Sequence, residues 1–268
     1  AIEGGGLVCF VRDITELKRV EAERERLLTL EKEARAEAEA LSRSKDEFLA
    51  LISHELRTPL TAMLGWTLLL REGTIAQSER ERALDIITRN MRMQAQIVED
   101  MFDVSSIVTG KLRLHTEDIE LAPILRSALD NIGPEAKAKN IRLETNIEAE
   151  PIRILGDHHR LQQVLWNLLS NAIKFTPSGG CVRVGLKRAA SNVEITVTDS
   201  GNGIAADFLP FVFDRFRQEE HALKRTHRGL GLGLAIVRHI SELHGGTVKA
   251  ESEGAGKGAT FTVTLPVK

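Results

Sequence analysis

The chain has 268 residues, 42% of them hydrophobic and 28% charged, with a formal net charge of −2. That is enough for one large domain or two small ones, and it carries neither a bulk basic signature for nucleic acid nor an acidic tail. Cys9 and Cys181 are far apart without metal-ligand spacing, which argues against a disulfide scaffold or a zinc site and fits a reducing, cytoplasmic compartment. The apolar runs fall far short of the ~18 residues of a membrane span, and no signal peptide is read, so no membrane contact is expected from this segment. The chain starts at Ala1 in mid-pattern and reads as a piece of something longer.

In chain order, residues 4–11 (GGGLVCFV) read as a glycine-led strand, followed by a helix for which Asp13 and Thr15 are candidate caps. Residues 17–47 are nearly all Ala, Leu, Glu, Arg and Lys. Val20, Leu27, Ala34, Leu41 and Phe48 fall seven apart, a coiled-coil seam. Alanines and the cluster Leu27, Leu28, Leu30 weaken it, leaving a solvated single helix as the alternative. The helical pattern continues through Ile52, Leu56, Leu60, Met63 and Leu64 to about Leu70, past Pro59, where a proline removes a backbone donor and costs roughly 3 kcal/mol. After a turn, Ser78 is a candidate cap for a second helix over 79–108, in which Leu84, Ile87, Met91, Gln94, Val98 and Met101 alternate spacings of three and four. Two such helices predict a hairpin. A lone hairpin cannot cover its apolar stripes, so pairing into a dimeric four-helix bundle is expected.

From about residue 113 the class changes. IRLETNI, IRILGD, CVRVGLKR, VEITVTD, TVKAES and ATFTVTLP read as strands, while Arg160 to Phe175 and GLGLAIVRHISELHGG read as helices, the latter ended by Gly245. Mixed order predicts an α+β or α/β sandwich of about 150 residues.

Three stretches carry chemistry. In LQQVLWNLLSNAIKFT, Asn167, Asn171 and Lys174 share one face of an otherwise apolar helix. Ordinary amphipathicity is the plain alternative. A functional stripe of this kind suits a cation with phosphates, an amide oxygen ligating Mg²⁺ and the lysine meeting phosphate. In VTDSGNGI a strand ends at Asp199, followed by Gly201 and Gly203. This is strong turn chemistry, yet a carboxylate there can also accept from an exocyclic amine such as that of adenine. In RGLGLGLAIV, Gly229, Gly231 and Gly233 alternate before a helix, leaving N–H groups open to an anion. A P-loop or dinucleotide fingerprint is absent, and residues 218–228 read as a lid.

The order of these pieces resembles that of the sensor histidine kinases of two-component signalling. FLALISHELRTPLTAMLG resembles their H-box, NLLSNAIKFT the N-box, DSGNGI the G1 box, FDRF the F-box and RGLGLGLAI the G2 box, while RDITE resembles the end of a PAS sensor domain. The resemblance implies four parts: a PAS remnant over 1–16, a coiled-coil linker over 17–45, a dimerisation and phosphotransfer domain over 46–112, and a Bergerat-type ATP-binding domain over 113–268. It implies that His54 takes the γ-phosphoryl group of ATP, with Glu55 as base and Thr58 positioning a water for dephosphorylation of a partner regulator. It makes Asn171 the Mg²⁺ ligand, with Asn167 and Lys174 near the phosphates. Asp199 would hold adenine in a pocket shaped by Gly201 and Gly203, with a further contact from Thr260. Gly229, Gly231 and Gly233 would flank the phosphates. Related ATPases carry a glutamate base where Asn167 stands, so phosphate is expected to go to His54 rather than to water. The partners implied are a second copy of the chain and a response-regulator receiver domain. Pro59 is expected to bend the helix beside His54, and the adjacent His54 and Glu55 to meet only through a bent side chain or distorted backbone. The competing reading is a nucleotide-binding dimeric scaffold without turnover.

Overall fold

The computed structural model describes residues 15–73, 76–148, 150–217 and 231–267. The expected strand at 4–11, the PAS remnant up to residue 14, Asp13, the lid and Gly229 lie outside them. The chain divides into two compact units after Ser53.

The first unit is helical from Thr15 onward and belongs to α1 (Thr15–Glu72). Leu27, Leu28 and Leu30, which blur the heptad register, are all exposed. The side chains of Val20, Ala34, Leu41 and Phe48 lie outside the described residues.

In the second unit α1 continues unbroken through Pro59 to Glu72. α2 (Gln77–Val108) follows after a four-residue connection. Its N-cap is Ala76, with no side-chain cap, so Ser78 lies inside the helix rather than ahead of it. Both helices leave apolar side chains in water. Leu60, Leu64, Leu84, Met91, Val98 and Phe102 are all exposed, three of them from the predicted heptad pattern of α2.

The rest is an α/β layer pair. β2 (Arg142–Ile147), β4 (Cys181–Ala189), β5 (Asn192–Asp199), β7 (Ala259–Pro266) and β6 (Thr247–Glu251) form a five-stranded sheet in that order. β2 and β4 are parallel, the other pairs antiparallel. β1 (Glu117–Glu120) and β3 (Arg153–Gly156) make a separate antiparallel pair. Strict alternation buries Val182, Val184 and Leu186 of β4, Val193, Ile195 and Val197 of β5, and Phe261, Val263 and Leu265 of β7. That is the period-two signature of a sheet with one covered face. The cover consists of α3 (Leu121–Ala138), α4 (His158–Phe175) and α5 (Gly233–Leu243).

α3 is absent from the expectations above. Its pattern LAPILRSALDNI buries Leu121, Ile124, Leu125, Ala128 and Ile132 at helical spacing, and Pro123 near its start and Pro134 near its end disguise it. α4 starts two residues earlier than predicted, because Asp157 caps it by accepting from the Arg160 N–H at 3.1 Å.

Candidate functional site

α4 is the helix on which the site is built. Leu161, Val164, Leu165, Leu168, Leu169 and Ile173 are fully buried, which fixes the helix's rotation and leaves one polar stripe. Asn167 is itself buried, and its amide nitrogen donates to the Gly233 carbonyl at 3.3 Å. This helix and the first residue of α5 are therefore neighbours, although 66 residues separate them. Asn171 stands one turn further on, half-buried. Lys174 is half-buried at the end of the helix, its ammonium 5.0 Å from the Phe175 ring centroid. Burial lowers its pKa, and Glu55 of α1 opposes that shift.

Asp199 continues the buried register of β5 after Val193, Ile195 and Val197, so a carboxylate occupies a position that alternation reserves for the core. One of its oxygens accepts from the Gly201 N–H at 2.8 Å. Burial pushes its pKa up, and the backbone donors of Gly201 and Ala259 pull it partly back. Two positions of the turn that follows admit only glycine. A Cβ on Gly201 would lie 2.5 Å from the Phe175 carbonyl oxygen, where the turn meets the end of α4. Gly203 has φ +69°, and its Cβ would stand 2.0 Å from the Gly254 carbonyl. Residues 254–258 clamp this turn, with Gly258 N–H donating to the Gly201 carbonyl at 3.1 Å. The sequence reading missed this second loop, and its signal is the alternating glycine of EGAGKGA.

The structure does not bring Thr260 to the side chain of Asp199. The register pairs Asp199 with Ala259. Thr260 falls on the other face, its hydroxyl 3.1 Å from that of Thr198. Strand parity decides this: neighbouring residues point to opposite faces. Gly231 is joined to the F-box, its carbonyl accepting from Phe216 N–H at 3.2 Å. Arg217, beside it, lays its guanidinium 4.7 Å from the Phe211 ring centroid.

On α1, His54 is 57% exposed and Glu55 12%. Their closest approach is 3.5 Å, from imidazole Nδ1 to a carboxylate oxygen. Neighbouring helical residues point about 100° apart, and within the helix α1 the long glutamate side chain reaches back, the first of the two expected ways of meeting. Thr58 is exposed, and its hydroxyl donates to the His54 carbonyl at 3.1 Å.

Among the described residues no cluster of His, Cys, Asp or Glu is placed to hold a metal. The polar stripe of α4 offers amide oxygens and an ammonium instead. That donor set fits a hard cation carried in with phosphate oxygens, as Mg²⁺ is.

Residues 156–268 match the family described as histidine kinase-, DNA gyrase B- and HSP90-like ATPases, and residues 44–110 match the His Kinase A phospho-acceptor domain. The chain belongs to the sensor histidine kinases. It is 38% identical to hybrid signal transduction histidine kinase D of Dictyostelium discoideum over 84% of this chain and 18% of that protein. It is 35% identical to the autoinducer 2 sensor kinase/phosphatase LuxQ of Vibrio parahaemolyticus (serotype O3:K6, strain RIMD 2210633) over 98% of this chain and 30% of that protein. The chain thus spans less than a third of these two kinases. Among solved structures, full-length ShkA in complex with AMPPNP superposes with a TM-score of 0.61 at 30% identity, covering 82% of this chain and 46% of that one. In this histidine kinase chain, the matched ATPase segment holds α4, the Asp199 turn and α5, and the phospho-acceptor segment holds His54.

Proposed function

We propose that this chain autophosphorylates His54 with ATP and passes the phosphoryl group to an aspartate of a response-regulator receiver domain. The observation that carries the reading is the exposed His54 ring with its Nδ1 turned to a largely buried carboxylate. That pairing holds the proton on Nδ1 and leaves Nε2 with its lone pair directed outward. Nε2 attacks the γ-phosphorus, the N–P bond forms, and the bond to the bridging oxygen breaks with its electron pair leaving on ADP. Glu55 takes up the Nδ1 proton as the ring acquires positive charge. Asp199 accepts from the adenine amine. Asn167 and Lys174 face the phosphates, and Gly231 and Gly233 leave room for them. Asn171 would hold Mg²⁺, which would neutralise phosphate charge. Asn167 is an amide without basicity, so it does not activate water where related ATPases carry a glutamate.

Thr58 supports a second activity in the same site. Its exposed hydroxyl lies one turn from His54, placed to orient a water for dephosphorylating the regulator. The division into a linker over 17–45, a dimerisation and phosphotransfer domain over 46–112 and an ATP-binding domain over 113–268 belongs to the same proposal. So does a cytoplasmic place for this segment, in which no described helix is long and apolar enough to cross a membrane.

The test is incubation with γ-labelled ATP and Mg²⁺, comparing the parent with His54→Ala. Acid-labile, base-stable label on the parent and none on the variant is expected. Equal label on both, or none on either despite nucleotide binding, overturns the kinase reading.

A further inference from the structure

Asp103 is a buried carboxylate on α2, away from every box of the family pattern. It accepts from Arg160 Nη1 at 2.6 Å and from Gln163 Nε2 at 2.5 Å, and Arg160 Nη1 also donates to Gln163 Oε1 at 2.9 Å. Both partners lie in the first two turns of α4, 57 and 60 residues away in sequence. α4 has no internal need of this contact. Asp157 caps its N-terminus, the Lys139 ammonium closes its C-terminus on the carbonyls of Ile173 and Lys174, and its apolar face is fully buried under the sheet. What the cluster does fix is where α4 sits against the helices that carry His54.

We infer that Asp103 is a positioning residue for phosphorylation of His54, seating the nucleotide-binding helix α4 on the phosphoacceptor region through Arg160 and Gln163. This rests on the kinase reading above. Charge-assisted hydrogen bonds of this length are strong and directional, and α5 also packs against α2. At its far end α4 presents Lys174, which lies within electrostatic range of Glu55. The helix is thus held at its start by α2, while the charge at its other end is felt by Glu55 of α1. An acceptor and a donor carried on separate elements react fast only when both are seated, and small misplacements cost orders of magnitude in rate.

Trp166 lines the cleft beside the cluster together with Phe102 and supplies a readout independent of activity. In a Trp66→Phe background, which leaves Trp166 as the single indole of the chain, Asp103→Ala is expected to red-shift its emission. Affinity for a fluorescent ADP analogue should stay within about twofold, while the rate of His54 labelling at saturating ATP falls about tenfold. Pairing Asp103→Arg with Arg160→Asp should restore most of the rate that either change alone removes. If Asp103→Ala fails to fold, Gln163→Ala, which keeps the Arg160 contact, is expected to give the same pattern with a smaller loss. A variant that labels at the parent rate or faster, one that loses rate and nucleotide affinity in equal measure, or a reversed pair no better than its single members overturns the inference. A parent that takes no label sinks the kinase reading and this inference together. A labelled parent with an indifferent Asp103 variant sinks this one alone.

Discussion

At the scale of single residues, the two groups at the centre of the proposal are held in opposite ways. His54 stands in solvent beside a carboxylate, where a ring nitrogen can meet a bulky phosphate. Asp199 is buried, and its burial works against its charge. Its folded pKa lies above the unfolded value, so folded stability is greatest below the unfolded pKa and declines as pH rises through the folded one. Asp199→Asn removes that titration while keeping an oxygen for the Gly201 N–H. The unliganded variant should therefore gain thermal stability relative to the parent as pH is raised from 4 towards 8. Its nucleotide affinity should fall by about 10- to 100-fold, the roughly 1.5–3 kcal/mol of a hydrogen bond to a charged group. Paired thermal melts and nucleotide titrations check both. A variant less stable than the parent at high pH, with affinity intact, would remove Asp199 from the adenine site. Such a residue is detectable in sequence because it breaks the apolar parity of β5. Thr260 obeys its parity, and for that reason its face could be read from the alternation of β7.

Among the elements, α4 is held by the others. Its cap, Asp157, accepts from the N–H groups of His115 and Arg160, and the Asp157 N–H donates at 2.9 Å to Nε2 of the buried His244 after α5. That bond makes Nε2 the acceptor, so Nδ1 carries the proton and donates to the Ile240 carbonyl at 2.8 Å. One neutral imidazole thus ties the start of α4 to the end of α5. His244→Ala should leave the Asp157 N–H buried without a partner and destabilise the ATP-binding region by about 1–3 kcal/mol. Denaturant unfolding measures it, and a change below about 0.5 kcal/mol, the usual range for surface substitutions, would mean the ring is a spectator. In the sequence His244 is one of several scattered histidines. Its role depends on a partner 87 residues away, which local pattern does not carry. The missed α3 is a failure of another kind. Its helical spacing is present, but prolines near both ends resemble loop punctuation.

For the whole molecule, α1 and α2 end with apolar surface uncovered. Leu84 is 55% exposed, Met91 59% and Phe102 71%, on a stripe whose spacing is that of a bundle seam. A second copy is the proposed cover. Replacing Leu84 and Met91 together by glutamate puts charges into that seam. The expected outcome is a halving of the sedimentation mass with the circular dichroism of the α/β region retained. A parent that sediments as a monomer, or a doubly charged variant that remains dimeric, would move the interface elsewhere.

The chain's own pattern specifies helix, then sheet, and the family as well, because periodicity and glycine placement are local properties and the boxes are contiguous words. It also places Glu55 next to His54, since adjacency in the chain is itself local. Folding adds what depends on pairing across long separations. It sets the register that pairs Asp199 with Ala259, the loop at 254–258 that closes on Gly203, the meeting of Asn167 with Gly233, and the contact of Asp103 with Arg160 and Gln163. Each of these joins residues tens of positions apart. Their geometry follows from how the sheet and its covering helices pack, which no stretch of sequence encodes alone.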